Sequence, residues 1–112
     1  MIDARSPVAE PLDRRLLLLS EQDNVVVACT NLSRGDVVTL DGAKVAVRSD
    51  APVGFKIARL DLAFGAKVLK YGAVIGSTTA PIQRGDVVHL HNMKSDYLPT
   101  YAHEGGTGFT KR

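Results

Sequence analysis

Two histidines separated by one residue, His89-Leu90-His91, followed at once by Asn92, are the sharpest chemical feature of the chain. On an extended strand, positions i and i+2 share a face. Two imidazoles side by side are half of a metal site or a proton-shuttling pair, and Asn92 adds a hydrogen-bond donor. A polar strand edge is the plainer reading of the same pattern, because the sequence names no further ligands. A second group is cationic and phenolic. Lys56 and Lys70 can meet an anionic substrate, and Tyr71 can offer a hydroxyl. Taken singly, these three residues also fit surface lysines and a tyrosine lining the core. Cys29 follows the run Val25-Val26-Val27-Ala28 with nothing nearby to activate it, so it reads as an inert core thiol. Asp36, Asp41, Asp61 and Asp86 sit where turns are expected, and there Asp has a structural task. No nucleophile elbow, Walker loop or dinucleotide-binding glycine pattern is present.

The elements that must position these groups read as β. Strands are expected at 16–19, 25–28, 37–40, 44–48, 56–60, 67–71, 73–75 and 86–91. Asp41-Gly42 between two β runs is a hairpin signal, since both turn residues need positive φ. Glycines 54, 65, 72, 76 and 85 punctuate the later runs. No stretch carries sustained helical periodicity. One pattern recurs, aliphatic-x-x-Gly-x-x-Val, at Leu32–Val38, Leu62–Val68 and Ile82–Val88. The aliphatic residue plugs the core and the glycine allows a tight turn before the strand. The spacings of 30 and 20 residues suggest a reused turn and not a solenoid. Arg-Gly-Asp occurs in two copies, where a turn into a strand accounts for it.

Composition bounds the rest. The chain has 112 residues, 45% of them apolar and 23% charged, which is enough for one modest core and too apolar for disorder. The net charge of +2 is too small for an electrostatic nucleic-acid binder. Six aromatics and no Trp leave few stacking platforms for sugars or single strands. No apolar run approaches a membrane span or a signal-peptide core. One cysteine excludes an internal disulfide. A cytoplasmic location is expected. Three parts are expected: a mobile arm at 1–13, a globular β domain at 14–92 and an extended tail at 93–112. The tail segment 95–101 holds two tyrosines and an apolar residue, and is expected to order against a partner.

The runs Gly54-Phe55-Lys56-Ile57-Ala58, Lys70-Tyr71-Gly72-x-x-Ile75-Gly76 and Gly85-Asp86-x-Val88-His89-x-His91-Asn92, with Asp23-Asn24-Val25 before them, carry a resemblance. In order and spacing they resemble the small SAF-type domain of the altronate and galactarate dehydratases, over about residues 16–92. The resemblance implies a mainly β, β-clip fold. It implies loss of water from a sugar acid to give a 2-keto-3-deoxy acid, with a divalent metal such as iron held mainly by a large catalytic subunit. It further implies that the chain is the separate small subunit of that enzyme, with self-association also open. His89, His91 and Asn92 would then carry catalytic roles, His89 or His91 would lie beside the metal, and Lys56, Lys70 and Tyr71 would contact substrate. A related small subunit belongs to a sulfolactate sulfo-lyase, which eliminates sulfite. The family pattern usually has His where this chain has Phe55 and Val87. That departure leaves a third reading open, a sugar-acid-binding or assembly module without catalysis.

Overall fold

The computed structural model describes residues 12–96. Residues 1–11 of the expected arm (1–13) and 97–112 of the expected tail (93–112), with Tyr97, Tyr101 and His103, lie outside the described residues. The described chain is all strand and turn. Its strands are β1 (Leu16–Leu17), β2 (Val25–Ala28), β3 (Val37–Leu40), β4 (Ala43–Ala46), β5 (Lys56–Ala58), β6 (Lys67–Lys70), β7 (Ala73–Thr78), β8 (Val87–Val88) and β9 (Met93–Lys94). They form three antiparallel sheets, ordered β1-β2-β5-β8, β9-β7-β6 and β3-β4. No helix among the described residues is long and apolar enough to cross a membrane.

The register reveals a simple plan. From Leu40↔Ala43 at a hairpin tip, through the Leu32↔Ala51 bridge, to Val25↔Ala58, every pair satisfies i + j = 83. From Val68↔Gly76, through the Leu62↔Ile82 bridge, to Lys56↔Val88, every pair satisfies i + j = 144. A bulge between Val68 and Leu69 shifts the second tip by one residue. The fold is thus two long interrupted hairpins that share β5 as a common arm.

Each hairpin is broken twice by the same turn. Leu32, Ala51, Leu62 and Ile82 are buried plugs, and each is followed three residues later by a glycine with φ of 80–93°. The bonds repeat with the turns. Gly54 N–H donates to the Ala28 carbonyl at 2.8 Å, and Gly85 N–H to the Ala58 carbonyl at 2.9 Å. Asp36 and Asp86 accept from the backbone N–H of Ser33 and Gln83 at 2.8 and 2.7 Å, closing two of the turns. In the Leu62 turn Ala66 replaces that Asp, and the Thr78 hydroxyl joins the ends instead.

Two cores lie on the two faces of the four-stranded sheet. Val26, Ile57 and Val87 pack with Leu32, Val38, Leu40 and Val47 on one side. Val25, Ala58 and Val88 pack with Leu62, Val68, Ile82 and Met93 on the other. Strand alternation sorts neighbours to opposite cores, so Val87 and Val88 are both buried.

The folded unit takes in Leu12 and Asp13 at one end and Met93–Lys94 at the other. Asp13 accepts two side-chain bonds from Arg15 at 2.8 Å and the Thr39 N–H at 3.1 Å. The Arg15 guanidinium holds its carboxyl well below the usual carboxylate range. A folded pKa below the unfolded one gives stability that is complete above about pH 4 and is lost as pH falls towards the folded value. Wild-type protein should therefore melt above an Asp13→Asn variant at pH 6, and the gap should shrink steadily below pH 4. A gap independent of pH would remove Asp13 from this role.

Candidate functional site

The C-terminal end of β8 does not extend through His91. The strand ends at Val88, and 89–92 form a turn closed by the Asn92 N–H donating to the His89 carbonyl at 3.0 Å. The cause is Asn92. Its Oδ1 accepts the His89 N–H at 2.9 Å and its Nδ2 donates to the Val87 carbonyl at 2.9 Å. Asn92 is buried, and its amide is committed to the turn on both sides. His89 and His91 therefore do not stand as i and i+2 on one strand face. His89 is half-buried at the strand end, while Leu90 and His91 project from the turn into solvent.

Among the described residues His89 has one ring partner. Phe55 stacks on it with centroids 4.4 Å apart and planes at 27°. The pairs Ile57↔Val87 and Lys56↔Val88 place Phe55 opposite His89 at the next step of the ladder. Phe55 also packs on the first core, so the imidazole is held against a fixed wall with one face covered.

Lys56 alternates with Phe55 and Ile57, so it belongs to the opposite face, with Ala58 and Val88. It is half-buried between its pair partners Val27 and Val88. Burial, reinforced by the neighbouring Lys70 ammonium, pulls Lys56 below the usual lysine range. The structure thus brings Phe55 to His89 and sets Lys56 on the opposite face of the sheet.

Tyr71 does not line the core. It occupies the tip of the β6–β7 hairpin with φ of 61° and is 75% exposed. What holds it there is Asp23, which is buried in the 20–24 loop. Asp23 accepts the Tyr71 N–H at 2.7 Å and the Gly72 N–H at 2.8 Å. Asn24 adds two bonds to β6, from its Nδ2 to the Lys67 carbonyl and from the Leu69 N–H to its Oδ1, both at 2.8 Å. Arg59 ties the same loop to the other hairpin tip. Its guanidinium donates to both Asp41 carboxylate oxygens, at 2.8 and 3.1 Å, and to the Glu21 and Asp23 carbonyls at 2.9 Å. Composition and periodicity point to none of these functions. An Asp-Asn pair directly before a buried valine run is the only local signal.

Cys29 is exposed, not a core thiol, because β2 ends at Ala28 and the chain turns outward there. Among the described residues no three His, Cys, Asp or Glu side chains gather where a metal could be held.

Residues 14–96 match the family model for the altronate/galactarate dehydratase SAF domain. The chain is 43% identical over 74 residues to altronate dehydratase of Escherichia coli (strain K12), covering 66% of this chain and 15% of that protein. It is 29% identical over 83 residues to altronate dehydratase of Bacillus subtilis (strain 168), covering 74% and 17%. It is also 36% identical over 61 residues to the (2R)-sulfolactate sulfo-lyase subunit alpha of Paracoccus pantotrophus, covering 53% of this chain and 91% of that subunit. The chain thus spans less than a fifth of the altronate dehydratases it resembles, and most of one lyase subunit. With the matched segment spanning nearly the whole described β unit, including both hairpins and the His89 turn, the chain belongs to the family of altronate/galactarate dehydratase SAF domains.

Proposed function

We propose that the chain is the small β subunit of a sugar-acid dehydratase, working in the cytoplasm at an active site shared with a large catalytic partner. The observation that carries this reading is the His89 imidazole, stacked on Phe55 at an exposed sheet end and with one edge open to a partner. The comparisons support the division of labour, since the domain is a minor part of long altronate dehydratases and most of a separate lyase subunit.

The reaction removes a proton from the carbon beside the carboxylate and expels the neighbouring hydroxyl as water. The resulting enol then becomes a 2-keto-3-deoxy acid. A weakly acidic C–H needs a base, and a poor leaving group needs an acid. His89 can carry either proton, because an imidazole can both accept and donate one. Asn92 positions it through the backbone of the turn. His91, exposed two residues on, is the second proton carrier at the interface. A divalent metal, iron among the candidates, belongs to the large partner in this scheme.

The test is reconstitution of the full chain with a large dehydratase subunit, assayed on altronate and galactarate. Turnover should require both chains. His89→Ala should lower it by about 100-fold with the complex intact. Equal turnover by the large subunit alone would overturn the catalytic reading in favour of a binding or assembly module. The match to a sulfo-lyase alpha subunit favours a second substrate class, so (2R)-sulfolactate belongs in the panel. Sulfite release in place of dehydration would assign the chain to that enzyme.

A further inference from the structure

The main chain of His89 is tied on both sides. Asn92 Oδ1 accepts its N–H at 2.9 Å, and the Asn92 N–H donates to its carbonyl at 3.0 Å. The side chain is held differently. Among the described residues neither ring nitrogen of His89 has a hydrogen-bond partner. A working imidazole is ordinarily oriented by a carboxylate or a carbonyl on its second nitrogen. Here the orienting contact is apolar: the Phe55 ring, 4.4 Å away and 27° from parallel.

Phe55 suits that task because its own position is fixed independently of His89. Its N–H donates to the Pro52 carbonyl at 3.0 Å, and its carbonyl accepts the Ala28 N–H at 2.9 Å. Gly54 closes the turn that delivers it, with its N–H on the Ala28 carbonyl at 2.8 Å. The Phe55 side chain packs on the first core, the one that holds Leu16 and Ala28. A half-buried imidazole at a strand end has several staggered χ1 wells open to it. A flat neighbour on one side favours the well that lays the two rings together. The stack is also compatible with proton transfer. The nitrogen lone pair and the N–H bond lie in the ring plane, so a wall against one face leaves both nitrogens free at the edge. A carboxylate in the same task would occupy one of them.

We propose that Phe55 is the positioning residue of His89. It selects the imidazole rotamer that presents the ring edge to the partner, and it acts on turnover through that ring without meeting substrate. The inference deepens the proposed function and rests on it for the reaction served, whereas the held ring belongs to this chain alone.

Two measurements test it. NMR of the full chain alone reads the ring. In the wild type the His89 Cδ2 and Cε1 protons should lie upfield of their free-histidine positions, through the ring current of Phe55, and should show cross-peaks to the Phe55 ring. Both signs should vanish in Phe55→Leu and remain in Phe55→Tyr. In the reconstituted two-chain enzyme, Phe55→Leu should lower kcat about tenfold and leave KM within about twofold. Phe55→Tyr should restore most of kcat. Val45→Ala is the structural control, since Val45 packs on the same core from the first hairpin. It should lower the melting temperature and keep the wild-type kcat. A wild-type His89 without the ring-current shift, full kcat in Phe55→Leu, or an equal fall of kcat in Val45→Ala would each overturn the positioning role. Turnover lost in His89→Ala but kept in Phe55→Leu would sink this inference alone. Turnover kept in both would remove His89 from the reaction and the positioning role with it, while the stacked rings stay visible in the spectrum.

Discussion

Gly76→Ala should cost the domain about 3 kcal/mol and detach its C-terminal strand. Gly76 lies in β7, flanked by β6 and β9, and is buried. A Cβ built there falls on the Lys94 carbonyl oxygen, with the Lys94 carbonyl carbon at 3.0 Å and Ser95 Cα at 3.3 Å. All three are backbone, so no side chain can swing away. Either β9 moves or β7 twists, and the Met93↔Thr78 and Lys94↔Ser77 pairs break. Met93 would leave the second core, and Asp96 would lose its contacts with Lys67 and Ser77. Urea unfolding measures the loss, and amide exchange at Thr79, whose N–H donates to the Asn92 carbonyl, locates it. An unchanged unfolding midpoint would mean that β9 can be displaced at no cost. Gly65 makes the contrast, since nothing lies within 4 Å of its Cβ and only its φ of 80° resists substitution. Alanine there should cost about 1 kcal/mol.

Asp23→Ala should cost a comparable amount, about 3 kcal/mol, and should loosen a turn far away in sequence. The carboxylate accepts two short backbone bonds from Tyr71 and Gly72, 48 and 49 residues downstream. Bonds to a charged group contribute about 1.5–3 kcal/mol each, and removing the acceptor strands two donors. Tyr71 would then lose the restraint that keeps it at positive φ. Asp23→Asn retains one good acceptor and should recover roughly half of the loss. Thermal melts rank the three proteins. If asparagine melts with the wild type, the charge is not what holds the tip.

Much of the frame is written locally, and the exceptions are instructive. Asp41-Gly42 announces its hairpin because both residues suit positive φ. Tyr71-Gly72 forms the same turn and hides it, because tyrosine takes that conformation only when Asp23 supplies the restraint. Three of the four glycine turns are visible from their aliphatic plugs. The fourth is masked because its plug is Ala51, small yet fully buried. The turn at His89 is hidden for another reason. Val87-Val88-His89-Leu90-His91 has the composition of a strand, and the side chain of Asn92 ends it by competing for the backbone bonds that β8 would otherwise extend. Cys29 looks buried by continuity with the valines and is exposed because β2 stops one residue earlier. The candidate lysines and His89 are visible as residue types, but their separation onto two faces depends on the shared pairing of β5, which no local window contains.

The shared arm also governs how the chain can fold. The pairs β2–β5 and β5–β8 each join positions about thirty residues apart, and bringing such ends together from a random coil costs about 3 kcal/mol in loop entropy before any bond is gained. Constant register along each arm removes that obstacle. A tip at Asp41-Gly42 or Tyr71-Gly72 can close on the microsecond scale, and each further rung then joins residues that the previous rung has already brought near. The two zippers run inward from opposite tips and finish on the same two residues, Lys56 and Ile57. The β5 arm, with His89 opposite its first residues, is therefore completed last, when both zippers have arrived.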